Sequence, residues 1–198
     1  MGQHFLKNFA YAAKLAHAAG IKEGDAVLEI GPGKGVLTKA LLDRGAHVIA
    51  IEKDEKLAEF LKEKFSGAVE SKKLEIKTAD VRDFIPEERD YIVAANIPYY
   101  ITGEIIRKFL TADHQPRTMA LLVQKEVAER IVGREQKTVN STKESILSLS
   151  VKAYGEPKII ARVNRKHFSP PPSVDSAILV IENISKKFFS DISEENFF

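Results

Sequence analysis

The sequence predicts an α/β fold built on a mostly parallel sheet of seven strands, with one late strand running antiparallel. Three observations carry this prediction. Short apolar runs of four to six residues alternate with helical periodicities of about ten, and glycines or capping residues mark the joins. The last two runs are separated by a link too short for a crossover helix.

In chain order, Asn8 to Ala19 is Ala-rich, with Phe9, Leu15 and Ala16 at helical spacing and Gly20 as the stop. Ala26 to Ile30 is a buried strand entering a glycine cluster. Val36 to Arg44 is a helix with Val36, Ala40 and Leu41 on one face, and His47 to Ile51 is the second strand. Asp54 caps a helix to about Phe65, supported by Leu57, Phe60 and Leu61. Leu74–Lys77, Tyr91–Ala95 and Met119–Val123 are strands three to five, and Thr102 or Gly103 opens a helix to about Leu110. A short helix ends near Gly133, and Arg134 to Thr142 has a loop's composition. Glu144 to Tyr154 reads as helix or strand, and the lack of clean alternation at Ile146, Leu147, Leu149 and Val151 favours helix. Lys158–Val163 and Val174–Glu182 are the two late strands, expected to be antiparallel neighbours.

Composition narrows the class. A chain of 198 residues that is 44% hydrophobic suits one globular domain. No apolar stretch approaches the roughly 18 residues of a membrane span, and the first residues resemble neither a signal nor a transit peptide. With no cysteine there is no disulfide or thiolate metal site, and a cytoplasmic location is the simplest expectation. The net charge of +2 is too small to indicate nucleic acid, but Lys125 to Lys166 holds ten Lys/Arg against five Asp/Glu. That surplus suits a phosphate-contacting face, as it suits a solvated helix surface.

The chemistry gathers at strand ends. Glu29-Ile30-Gly31-Pro32-Gly33-Lys34-Gly35 follows the first strand, and its glycines allow close backbone approach to a ligand. Val36 stands where a dinucleotide fingerprint has its third glycine, and no phosphate-cradling P-loop pattern exists. An acidic residue two places before the first glycine is the habit of S-adenosylmethionine-dependent methyltransferases; a glycine turn without a ligand is the alternative. Glu52 ends the second strand, where a carboxylate can accept both ribose hydroxyls. Asp80, with Val81 beside it, follows the third strand and is placed to accept from an adenine amino group. Asn96-Ile97-Pro98-Tyr99 follows the fourth strand. The Asn96 side-chain carbonyl and the Ile97 backbone carbonyl suit the two N–H groups of an exocyclic amine, Pro98 stiffens the turn, and Tyr99 can stack on a base. Such catalysis rests on positioning and charge, with no metal. Phe168, before Pro170-Pro171-Pro172, is a second candidate platform facing Tyr99; the alternative is a proline-rich linker with Phe168 in the core. Arg162, Arg165 and Lys166 just before it suit phosphate contacts. His4 and His167 read as recognition or packing residues.

With these residues assembled, the chain resembles the KsgA/Dim family of ribosomal RNA adenine dimethyltransferases. The match runs through Gly2-Gln3-His4-Phe5-Leu6, Glu29 to Thr38, Asn96 to Ile101, Val123 to Ala128 and Phe168 to Ser176. The resemblance implies a Rossmann-like class I methyltransferase fold. It also implies transfer of two methyl groups to N6 of each of two adjacent adenosines near the 3′ end of 16S rRNA on the small ribosomal subunit. S-adenosylmethionine would be the donor, held by Gly31, Gly33, Glu52, Asp80, Val81 and Asn96, with Gln3, His4 and Leu6 closing over it. Residues 1–185 are expected to form the methyltransferase domain, and 186–198 to begin the family's helical C-terminal region. A monomer without membrane contact is expected. An Erm-type enzyme acting on 23S rRNA, or a non-catalytic RNA-binding assembly factor of the same fold, remain the alternatives.

Overall fold

The computed structural model describes residues 4–133 and 146–190 of the chain. An entry strand, β1 (Phe5–Leu6), leads to α1 (Phe9–Ala18), where the Asn8 side chain accepts from the Ala10 N–H as N-cap. Then come β2 (Ala26–Ile30), α2 (Val36–Leu42) and β3 (His47–Glu52). Asp54 caps α3 (Glu55–Lys64) by accepting from the N–H groups of Lys56 and Leu57, as its sequence position implies. A short helix absent from the sequence reading, α4 (Ser66–Glu70), precedes β4 (Leu74–Thr78).

The second half runs β5 (Tyr91–Asn96), α5 (Thr102–Leu110), β6 (Thr118–Gln124) and α6 (Lys125–Val132). It continues through α7 (Ile146–Tyr154), β7 (Glu156–Val163), the two-residue β8 (Phe168–Ser169) and β9 (Ser176–Glu182). Arg134 to Thr142, expected as loop, and Glu144 lie outside the described residues. The helix reading holds for Ile146 to Tyr154. Among the described residues no helix is long and apolar enough to cross a membrane.

The sheet order is β4-β3-β2-β5-β6-β9-β7, parallel except for β9, which pairs antiparallel with both β6 and β7. The expected seven-stranded, mostly parallel sheet with an antiparallel late strand is the observed one. β7 begins two residues earlier than Lys158 because it is the outer strand, where Pro157 needs no N–H partner on its open side.

Both faces are covered. Val27, Val48, Ile92 and Ala94 point into one core with Leu15 of α1 and Leu41 of α2. Their strand neighbours Leu28, Tyr91, Val93 and Ala95 point into the other, with α5, α6 and α7. This alternation is the period of two of the pleat, with helices on both sides replacing water. For α5, the buried side chains Ile105, Ile106, Phe109 and Leu110 contribute roughly 1.5–3 kcal/mol each. That outweighs the roughly 1 kcal/mol that Gly103 costs in a helix.

Gly35, N-cap of α2, has φ of 75°, and a Cβ there would lie 2.5 Å from the Phe65 ring. Gly35→Ala is therefore expected to lower the unfolding free energy by at least the left-handed backbone cost of about 1–2 kcal/mol, and with it the urea midpoint. An unchanged midpoint would contradict this packing.

Candidate functional site

The parallel register places four strand ends side by side. Ile30 pairs with Ile51 on one side and Ala95 on the other, so Gly31, Glu52 and Asn96 emerge in one row. The Gly31 N–H donates to the Ile51 carbonyl (2.9 Å), and the Ala79 N–H to the Glu52 carbonyl (3.0 Å), which brings Asp80 alongside. These ends open into a cavity of about 400 Å³. It is lined by Gly31, Gly33, Glu52, Asp80, Val81, Asn96, Ile97, Pro98, Tyr99 and His4, ten residues singled out from the sequence.

Each polar group is held by its surroundings. Glu52 is buried, and its two carboxylate oxygens accept from the N–H groups of Gly33 and Asp54, each at 3.1 Å. This fixes the carboxylate while leaving lone pairs toward the cavity. Asp80 lies against Arg82 (2.6 Å) and Lys53 (2.8 Å), whose hydrogen bonds hold its carboxyl well below the usual range. A Cβ on Gly33 would come within 2.8 Å of the Phe5 ring, so only glycine lets that ring close over the loop.

Asn96 is the last residue of β5, and its Nδ2 donates to the His4 backbone carbonyl (3.0 Å). A carbonyl can only accept, so the amide nitrogen must face His4 and the side-chain oxygen is left as the outward acceptor. The His4 ring stacks on Tyr99 with centroids 6.0 Å apart, and its Nδ1 lies 2.8 Å from the Pro170 carbonyl. The Tyr99 hydroxyl hydrogen-bonds the Ser176 hydroxyl (2.8 Å). Burial pushes the Tyr99 pKa up against that hydrogen bond, with Asp175 and Glu126 adding to the rise, and the phenol stays neutral.

Other candidates sit elsewhere. Leu6 is buried and lines a small adjoining cavity with Gly31 and Asn96 rather than the main one. Gln3 lies outside the described residues. Phe168 is 1% exposed and packs in the core shared with α1, because β8 pairs antiparallel with β1 and turns the ring inward opposite Leu6. In this structure it is a core residue and does not line the cavity that Tyr99 lines. Arg162 is exposed and ion-pairs with Glu129 (2.8 Å), and Arg165 donates to the Ser173 carbonyl (3.2 Å). Lys166 is exposed, and none of the three basic residues lines the cavity. Among the described residues no group of three or more His, Cys, Asp or Glu is placed to hold a metal.

The sequence reading missed the cavity's apolar wall, Ile30 and Ile51, and its cationic rim, Lys53 and Arg82. Their signal was adjacency: each stands one or two places from a chosen strand-end residue. A further feature was legible only as a motif acid. Glu29 is fully buried, and neither of its carboxylate oxygens nor the Thr38 hydroxyl completes a hydrogen bond. Burial, opposed by the nearby Thr38 and aided by the Glu52 charge, pushes its pKa up to about 8.

The lining has an anchored carboxylate, an apolar middle and an amide–tyrosine end, and it fits a nucleoside whose reactive tail reaches Asn96. A cavity of this volume is in the range of small-molecule sites.

A family model for ribosomal RNA adenine dimethylase matches residues 1–198. The chain is 39% identical over 200 residues to the ribosomal RNA small subunit methyltransferase A of Dehalococcoides mccartyi, spanning 100% of this chain and 67% of that protein. It is similar in structure to a dimethyladenosine transferase from Plasmodium falciparum, with TM-score 0.82 and 32% identity over 98% of this chain and 67% of that one. It is also similar to the 23S rRNA methyltransferase ErmE, with TM-score 0.79 and 31% identity over 92% of this chain and 70% of that one.

Two outcomes are expected. Glu29 keeps its proton to about pH 8 when folded but releases it near its ordinary value of 4.5 when unfolded. Between those values the unfolded chain binds fewer protons, so stability falls as pH rises. Glu29→Gln should flatten that decline in urea midpoints measured across the window; an equally steep decline in the variant would refute it. Phe168→Ala should cost about 3–5 kcal/mol of unfolding free energy as a core truncation. A loss under about 1 kcal/mol would return the ring to the surface.

Proposed function

The chain belongs to the ribosomal RNA adenine dimethylase family, and on that premise we propose that it dimethylates N6 of two adjacent adenosines near the 3′ end of 16S-type small-subunit rRNA. It is an enzyme with S-adenosylmethionine as methyl donor, and its product is N6,N6-dimethyladenosine. It works in the cytoplasm as a monomer on the small ribosomal subunit, during that subunit's maturation. Residues 1–185 form the methyltransferase domain, and 186–198 begin a helical C-terminal region.

The observation that carries the reading is the Asn96 amide, locked by its nitrogen to the His4 carbonyl with its oxygen left for a substrate N–H. In the same cavity, Glu52 is held by two backbone N–H groups to receive ribose hydroxyls. Gly31, Gly33, Asp80 and Val81 complete the cofactor's cradle, with His4 and Phe5 over it. When bound, S-adenosylmethionine supplies an electrophilic methyl on a sulfonium sulfur.

The rest is done by the chain. The adenine amino lone pair is delocalised into the ring, which makes it a poor nucleophile. Asn96 Oδ1 and the Ile97 carbonyl accept its two N–H groups, favouring tetrahedral nitrogen and freeing the lone pair for in-line attack. Pro98 holds the turn rigid, and Tyr99, braced by Ser176, stacks on the flipped base. These acceptors are positioned before the reaction, so no reorganisation is needed as charge develops. Arg165 and Lys166 meet phosphates outside the cavity, and Arg162 joins them on leaving Glu129.

The test is nucleoside mass spectrometry after incubation with S-adenosylmethionine and either unmethylated small subunits or naked 23S rRNA. Dimethyladenosine is expected on the small subunit alone. Product on 23S rRNA alone would make the enzyme Erm-type, and product on neither would reject the activity. Asn96→Ala should lower turnover by about two to three orders of magnitude and leave cofactor affinity, by calorimetry, within several-fold. Wild-type turnover in that variant would overturn the amine-polarising role.

A further inference from the structure

The motif that follows β5 carries two adjacent tyrosines, and only the first has a role in the reaction above. Tyr99 is half-buried and braced, whereas Tyr100 is 80% exposed. It is the most exposed large hydrophobic side chain among the described residues, and it also lines the main cavity. A scattered surface aromatic needs no explanation. One at the lip of this cavity, on the turn that follows Asn96 and on an enzyme acting on RNA, is differently placed.

The backbone beneath it is fixed. Tyr99 to Ile101 form one turn of 3-10 helix, closed by the Ile101 N–H on the Pro98 carbonyl (3.1 Å). Ile97 is anchored in the core at 1% exposure, and Tyr99 is tied to Ser176. With three residues per turn, neighbouring side chains on such a turn point about 120° apart. Tyr99 is therefore turned inward and Tyr100 outward from the same rigid step.

Nucleic-acid chemistry supplies a matching need. Turning an adenosine out of its stack exposes a face of the nucleotide beside it, and that lost stacking must be replaced. An outward aromatic ring one residue from the base-stacking tyrosine is where that freed face would arrive. Resting on the proposed rRNA adenine dimethylation, we propose that Tyr100 is a second stacking platform, which covers the adenine neighbouring the one in the cavity. Because the two target adenosines are adjacent, each is the other's neighbour when its turn comes. Because the strand has direction, a platform fixed on one side of the cavity meets the other target adenine in one of the two rounds, and in that round makes the pair a better substrate than a lone adenosine.

The test compares wild type, Tyr100→Ala and Tyr100→Phe on small subunits reconstituted from rRNA transcripts. One transcript carries both adenosines. In two others one adenosine is replaced by uridine, a weaker stacking partner. Stacking on one aromatic side chain corresponds to roughly 5- to 150-fold, so Tyr100→Ala should lower kcat/KM on the paired transcript by at least about fivefold. On the uridine transcript that places uridine beside the remaining target on the platform side its loss should be clearly smaller, and Tyr100→Phe should match wild type throughout. Cofactor affinity and thermal midpoint should be unchanged in both variants. An equal loss on all transcripts, or no loss on the paired one, would overturn the platform. Failure of wild type on every transcript would instead overturn the parent reading and this inference with it.

Discussion

Everything at the site depends on one pairing: Ile30 of β2 lies in register with Ile51 of β3 and with Ala95 of β5. Parallel strands with evenly spaced bonds deliver their next residues to one edge together. Gly31, Glu52 and Asn96 are far apart in the chain but one step beyond the same row. A slip of one residue in β5 would turn Asn96 toward the opposite face of the sheet, because side chains alternate with a period of two. The register is protected by burial on both faces, where nearly every position of β5 is filled with an apolar side chain packed against helices.

The antiparallel strand of the seven-stranded sheet serves the same edge. β9 starts at Ser176, opposite Gln124 at the carboxyl end of β6. Its reversed direction means that the chain entering it, from Phe168 to Asp175, runs along the rim where the parallel strands end. From there Ser176 reaches the Tyr99 hydroxyl, Pro170 meets the His4 ring, and β8 pairs with β1. A parallel strand in that place would have brought its entry loop to the other end of the sheet. The start of the chain, the end of β5 and the approach to β9 are thereby joined at Asn96, His4 and Tyr99.

Charge is managed within a few ångströms of this row. Glu52 is buried but satisfied by two backbone donors, Asp80 is exposed to two cations, and Glu29 is buried with neither oxygen satisfied. These are three carboxyls with three environments. Burying an unpartnered charge costs far more than keeping a proton, so Glu29 is neutral at pH 7 while Asp80 remains ionised. The neutral form spares the glycine loop a second buried negative charge beside Glu52.

The local sequence determined the elements and the identity of most polar groups at the site. Period-two and helical apolar patterns, the Asn8 and Asp54 caps and the glycine run all act within a few residues, where propensity and sterics suffice. Strand-end position then singled out Gly31, Glu52, Asp80 and Asn96, because ligands in such sheets bind where strands stop. The early start of β7 at Glu156 and the two-residue β1 and β8 had no such local signal, since each is stabilised by a partner distant in sequence; short α4 has no side-chain cap to announce it. The fate of Phe168 was decided in the same way. An aromatic before three prolines is locally indistinguishable between a platform and a core residue, and the β1–β8 pairing directs this ring inward. Which amide atom of Asn96 faces outward was likewise settled only by the tertiary structure, because the carbonyl that holds its nitrogen comes from His4, at the opposite end of a long loop closure. Residue types and spacing follow from the chain alone; side-chain direction depends on hydrogen bonds and packing made across the whole fold.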